Sequence, residues 1–204
     1  KILHCEVDYV KYVMDHARAR GVVGAVARIE RMSNHALGTP NEVNIYAFNR
    51  LLQEPNLTAD SLWKEWAVKR YGDKAAECVM PALRRTFDIT NLTYFPLEQW
   101  ITNHSLLPSF TYAFEHITER QNAKWIPSPR QLAARDELLR PTADTLVKIN
   151  HEKDLAKRLS EMSLADLEKA KPHLSEADYK ELKRYFELGR DNVEHDIQDH
   201  RHEP

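Results

Sequence analysis

Glycine is scarce in this chain. There are only five in 204 residues, and Gly21, Gly38, Gly72 and Gly189 fall where apolar periodicity breaks. That scarcity argues against a loop-rich or all-β protein and favours helix, as does the abundance of Ala, Leu, Glu, Lys and Arg. Cysteine is scarcer still: Cys5 and Cys78 stand alone, too few and too far apart for a disulfide framework, and are read as free, buried thiols. No CxxC or HExxH spacing occurs, so no metal site is expected. No cofactor is expected either, because phosphate-loop and dinucleotide fingerprints are absent. A formal net charge of -2 provides no basic face for nucleic acid. Apolar runs extend for only a few residues, which excludes a membrane-spanning helix. The start, "KILHCEVDYVKYV", is charged and amphipathic and does not read as a signal peptide. It also lacks a Met, so the expectation is a processed, excised or partial product. A soluble protein is expected, with bacterial periplasm and cytoplasm both left open.

What is present reads as a mainly α chain with three regions. Residues 1–38 predict a helix followed by a strand, half of an α/β unit. In "EVDYVKYVMDHARARG", Val7, Val10, Tyr12, Val13 and Ala17 recur near helical spacing and Gly21 stops the run. "VVGAVARI" is β-branched and uninterrupted, the pattern of a strand buried on both faces. At most one or two short strands are expected, near 22–29, and such a strand needs a partner that this sequence does not make visible.

Residues 39–122 predict a helical domain with an aromatic core. Thr39 to Glu42, "TPNE", has capping-box spacing, with Thr39 as N-cap and Glu42 reaching back to the Thr39 amide. The next helix, over "LTADSLWKEWAVKRYG", places Leu62, Trp63, Trp66 and Val68 in a core and stops at Gly72. Pro81 marks a kink or junction. Residues 128–199 predict a more charged helical region after the linker "QNAKWIPSP". Its helices are expected at 128–139, 142–162, 164–171 and 175–199, capped by Ser128, Thr142, Ser163 and Ser175.

Two polar groupings are candidates for ligand contact. The first is Arg28, Glu30, Arg31, Asn34 and His35, just past the strand's end, where α/β architectures open onto their ligand crevice. Guanidinium, amide and carboxylate groups together suit a polyhydroxylated or carboxylated ligand. Asn41, Glu42 and Asn44 follow at a helix start, which attracts anions. The second grouping is Asn103 and His104 in "WITNHSLLP", a polar pair framed by Trp100 and two leucines. A strand-end ion pair, a helix cap and a hydrogen-bonded turn account for the same residues without a ligand.

The stretch from Gly21 to Gly72 resembles the end of the catalytic barrel and the start of the helical C-terminal region of α-glucuronidase-like glycoside hydrolases. The likeness rests on Asn44-Tyr46-Ala47-Phe48-Arg50-Leu51, on Pro55-Leu57-Thr58 and on Trp63-Trp66-Tyr71-Gly72, and extends over roughly residues 20–120. It implies that 22–29 is the last barrel strand. It implies substrate contact for Arg28, Glu30, Asn34 and His35, and a uronic-acid or related oligosaccharide as ligand. A (β/α)8 barrel needs eight strands and about 250 residues, so the catalytic apparatus is expected to be incomplete here. The chain would then pair with a missing N-terminal barrel, or with a second copy of itself. A reading of another class is a non-catalytic helical interaction or oligomerisation module, whose aromatic residues are core and whose charged helices dock a partner.

Overall fold

The computed structural model describes residues 3–27, 36–98 and 129–201. Among them the chain is mainly α. Its helices are α1 (Val7–Ala19), α2 (Glu42–Gln53), α3 (Ala59–Tyr71), α4 (Asp73–Tyr94), α5 (Pro129–Leu139), α6 (Ala143–Ala170) and α7 (Glu176–Arg201). Short 3-10 turns lie at Pro96–Glu98 and Lys171–His173. None of the described helices is long and apolar enough to cross a membrane.

The chain divides into two compact units. One comprises Leu3–Phe87 and Glu161–Leu188; the other comprises Asp88–Ser160 and Gly189–Pro204. The first unit holds the large core. Its buried side chains include Val43 and Leu51 of α2, Leu62, Trp63 and Trp66 of α3, Val79 and Leu83 of α4, Leu167 of α6 and Phe186 of α7. The Trp66 and Tyr71 rings meet edge to face at 5.6 Å, an arrangement favoured by the ring quadrupoles. Arg85 pairs with Asp166 at 2.7 Å, joining α4 to α6 within this unit.

The second unit has a smaller core of Ile89, Ala156 and Val193, with Leu92 and Leu159 against it. Glu152 accepts the Leu97 amide at 3.1 Å, and the buried Lys153 ammonium donates to the Thr93 carbonyl. Lys148 pairs with Glu137 at 2.6 Å.

Local chemistry explains several helix ends. α1 closes in a Schellman motif: the Gly21 amide donates to the Arg18 carbonyl at 3.0 Å and Val22 to Ala17 at 3.1 Å, with Gly21 at φ 78°. Thr58 caps α3 by accepting the Ser61 amide at 3.1 Å. Thr142 and Thr145 cap α6 reciprocally, and Ser175 accepts the Asp178 amide at 3.1 Å to start α7.

Three expectations are corrected. No strand forms over 22–27: the stretch is irregular, and Val23 and Val26 are almost fully exposed, at 104% and 95%. A strand is a relation between two backbones, and none of the described residues supplies the second; positions 28 and 29 lie outside the described residues. The capping box is shifted. Asn41 occupies the N-cap position of α2, the Thr39 hydroxyl donates to the Ala36 carbonyl at 2.6 Å, and Glu42 accepts the Gly38 amide at 2.9 Å. Residues 39–41 form a tight turn, with Glu42 bonded back to the Thr39 carbonyl, so the helix starts two residues late. Finally, Ser163 caps nothing. α6 runs through it, and its buried hydroxyl donates to the Ala82 carbonyl of α4 at 3.2 Å. Pro81 likewise lies inside α4, which continues past it. Ser128 lies outside the described residues.

Candidate functional site

Of the residues that sequence singles out for substrate contact, Arg28, Glu30, Asn34, His35, Asn103 and His104 lie outside the described residues. Glu42 is described, and its carboxylate closes the Gly38-Thr39-Pro40 turn. Asn41 and Asn44 are also spoken for. They hold a neighbouring stretch of backbone, and that stretch carries the most unusual chemistry in the first unit.

Leu3 to Glu6 is an irregular segment whose side chains alternate. Leu3, Cys5 and Val7 are buried in the core, while His4 and Glu6 between them are partly exposed. With no strand beside it among the described residues, its backbone is satisfied by side chains instead. The His4 amide donates to Asn41 Oδ1 at 2.8 Å, the Cys5 amide to Thr86 Oγ1 at 2.9 Å and the Glu6 amide to Asn44 Oδ1 at 2.8 Å. Asn44 also donates through Nδ2 to the His4 carbonyl at 2.8 Å. An amide side chain is both donor and acceptor, so Asn44 grips the segment at two points as a neighbouring strand would. Cys5 is a buried free thiol, pushed up to about 12 chiefly by burial; Cys78 is also free and half-buried.

Pinned this way, His4 and Glu6 are held in poor solvent. Burial lowers His4 to about 4, so its imidazole is neutral at pH 7. His4 Nε2 is buried and has no hydrogen-bond partner among the described residues. Burial also raises Glu6 to about 7, and no described residue bonds to its carboxylate. A carboxyl group raised this far is partly protonated at neutral pH, the condition under which it acts as a proton donor.

A row of rings starts at His4. His4 stacks on Phe87 with centroids 5.4 Å apart, Phe87 on Tyr9 at 6.0 Å, Tyr9 on Tyr12 at 6.4 Å and Tyr12 on His16 at 5.9 Å. Interplanar angles lie between 18° and 29°, so the rings are roughly parallel. Tyr9, Tyr12 and His16 occupy the side of α1 opposite its core-facing Val7, Val10 and Met14. Tyr9 and Tyr12 are 51% and 62% exposed, so the row presents ring surface to solvent.

These residues escaped the sequence reading for a physical reason. Alternation over five residues is too short to stand out, and the desolvation of His4 and Glu6 comes from α2 and α4, far along the chain. The tyrosines had a legible signal in their i, i+3, i+7 spacing from Tyr9 to His16, set against the core stripe of the same helix. No described group of three or more His, Cys, Asp or Glu residues is arranged to hold a metal ion. No protein-family model, curated protein or solved structure matches the chain.

Proposed function

We propose that this chain is the C-terminal, mainly helical part of a carbohydrate-active enzyme of the glycoside hydrolase kind, contributing binding residues for a uronic-acid or related glycan. The observation that carries this reading is Glu6: a carboxyl group raised to about 7 by burial, in the same short segment as His4, where a row of partly exposed rings begins. Hydrolysis of a glycosidic bond uses one protonated carboxyl as acid and a second carboxylate across the bond. Glu6, raised toward neutrality by burial, would serve as the first. The second falls to residues outside those described or to another polypeptide, in keeping with an incomplete catalytic apparatus. Phe87, Tyr9 and Tyr12 offer apolar ring surface to the less polar face of a sugar. Arg28, Asn34, His35 and Asn103 would add hydrogen bonds to hydroxyl and carboxylate groups.

The second reading, a non-catalytic interaction or oligomerisation module, is favoured by the exposed Val22, Val23 and Val26. Solvent-exposed apolar side chains clustered in one short stretch mark a surface that another molecule covers. A calorimetric titration with glucuronic acid and a series of uronic-acid oligosaccharides separates the two. Saturable binding that Glu6→Gln or Arg28→Ala abolishes, with the fold intact, supports the glycan reading. No heat at millimolar ligand, together with concentration-dependent self-association that Val23→Asp removes, supports the module.

A further inference from the structure

Between the C-terminal halves of α1 and α2 lies a cavity of about 170 Å³, open to solvent on one side. Its lining is mostly apolar, with Met14 from α1, Val22 from the segment after it, and Leu51 and Leu52 from α2. Two polar ties bracket it. On one side Lys11 Nζ binds the Asp15 carboxylate at 2.5 and 2.7 Å and the Pro55 carbonyl at 3.2 Å. On the other, both terminal nitrogens of Arg18 donate to Asn56 Oδ1 at 3.2 Å. These ties hold α1 to the turn after α2, so the space between them is built by the fold.

Among the described residues the rim charges do not balance. Asp15 is neutralised by Lys11, whereas Arg18 has a neutral amide as its hydrogen-bond partner and no carboxylate among the described residues. Asn56 orients the guanidinium without neutralising it, and no other described side chain does so. An engineered apolar cavity of about 150 Å³ takes up benzene, so this one matches an apolar body of that size with an anionic group at its edge.

We infer that this cavity binds a small carboxylate with an apolar body about the size of a benzene ring, the body against Met14, Leu51 and Leu52 and the carboxylate on Arg18. The site is separate from the glycan reading above, because a polyhydroxylated ring would leave its hydroxyls unpaired against this lining.

The test is an NMR titration of the full chain with sodium benzoate, benzyl alcohol and sodium glucuronate. Benzoate should saturate with a Kd of about 1 mM, the weak affinity a ligand of so few atoms achieves. The shifted amides should cluster in 14–18, 22–25 and 51–56. Benzyl alcohol should bind more weakly, and glucuronate should leave those amides unmoved. Arg18→Gln should weaken benzoate about tenfold, the scale of one charge-assisted hydrogen bond, and Arg18→Lys should recover part of it. Both sit on an exposed side chain, so the fold is expected to stand. Val22→Asp, also exposed, should repel benzoate from the wall. Equal affinity for benzoate and benzyl alcohol, shifts outside these segments, or indifference to Arg18→Gln and Val22→Asp would overturn the inference.

Discussion

The Trp63 indole N–H donates to the Asp8 carboxylate at 3.0 Å, joining the fully buried ring of α3 to the first turn of α1. Arg84 of α4 binds the other oxygen of the same carboxylate, so one side chain links three helices of the first unit. Removing it orphans a buried donor as well as breaking an ion pair. Asp8→Ala should therefore destabilise the chain by about 1–3 kcal/mol, the penalty for an unsatisfied buried polar group. Urea unfolding followed by Trp emission measures it. Asp8→Asn, which keeps an acceptor oxygen, should recover most of the loss; if it does not, the Arg84 pair dominates.

Asn44 is the second joint. Its amide holds the Glu6 amide and the His4 carbonyl, each at 2.8 Å. Asn44→Leu keeps similar bulk and deletes both bonds, and should cost about 2 kcal/mol. It should also release the segment that buries Cys5. Thiol labelling under native conditions should then modify Cys5 much faster than in the parent chain, with the rate at Cys78 unchanged. Unaltered Cys5 labelling would mean that Asn41 and Thr86 hold the segment by themselves.

His4 and Glu6 have opposite effects on the pH dependence of stability. Glu6 rises from 4.5 to about 7 on folding. Between those values the folded chain holds a proton that the unfolded chain has lost, so this group's contribution falls as pH rises. His4 drops from 6.5 to about 4. There the unfolded chain holds the extra proton, and stability rises with pH. The two windows overlap from about 4.5 to 6.5 and the slopes largely cancel. Glu6→Gln should expose the His4 slope, so that the variant gains stability over the parent as pH rises from about 4.5 to 7, by roughly 3 kcal/mol at most. His4→Phe should expose the opposite slope and lose stability over the same range. Parallel curves for parent and Glu6→Gln would mean that Glu6 titrates as it does in an unfolded chain.

Gly72 separates α3 from α4 at φ 82° and ψ 160°, a conformation that only glycine enters without strain. A Cβ built there meets nothing within 4 Å. The penalty for Gly72→Ala is thus backbone strain alone, about 1–3 kcal/mol, and shrinking a side chain in the preceding helix should not relieve it. Unfolding of Gly72→Ala in the parent and in a Trp66→Phe background tests this; the two differences should agree.

The sequence by itself determined whatever depends on near neighbours. The Thr142 and Ser175 caps and the stops at Gly21 and Gly72 are decided within a turn or two of helix. Trp63 and Trp66 were legible as core because a helix with two such rings on adjoining turns must bury them. Tertiary structure decided the rest. "VVGAVA" has the composition of a strand, yet strand formation requires a second backbone, and the described residues provide none. Ser163 has the composition of a cap, yet the Ala82 carbonyl on α4 takes its hydroxyl and α6 runs on. Asn41 and Asn44 have the chemistry of a ligand site, yet residues 4–6 come close enough to use it. His4 and Glu6 are ordinary titratable residues until α2 and α4 exclude water from them, and desolvation depends on which parts of the chain pack together.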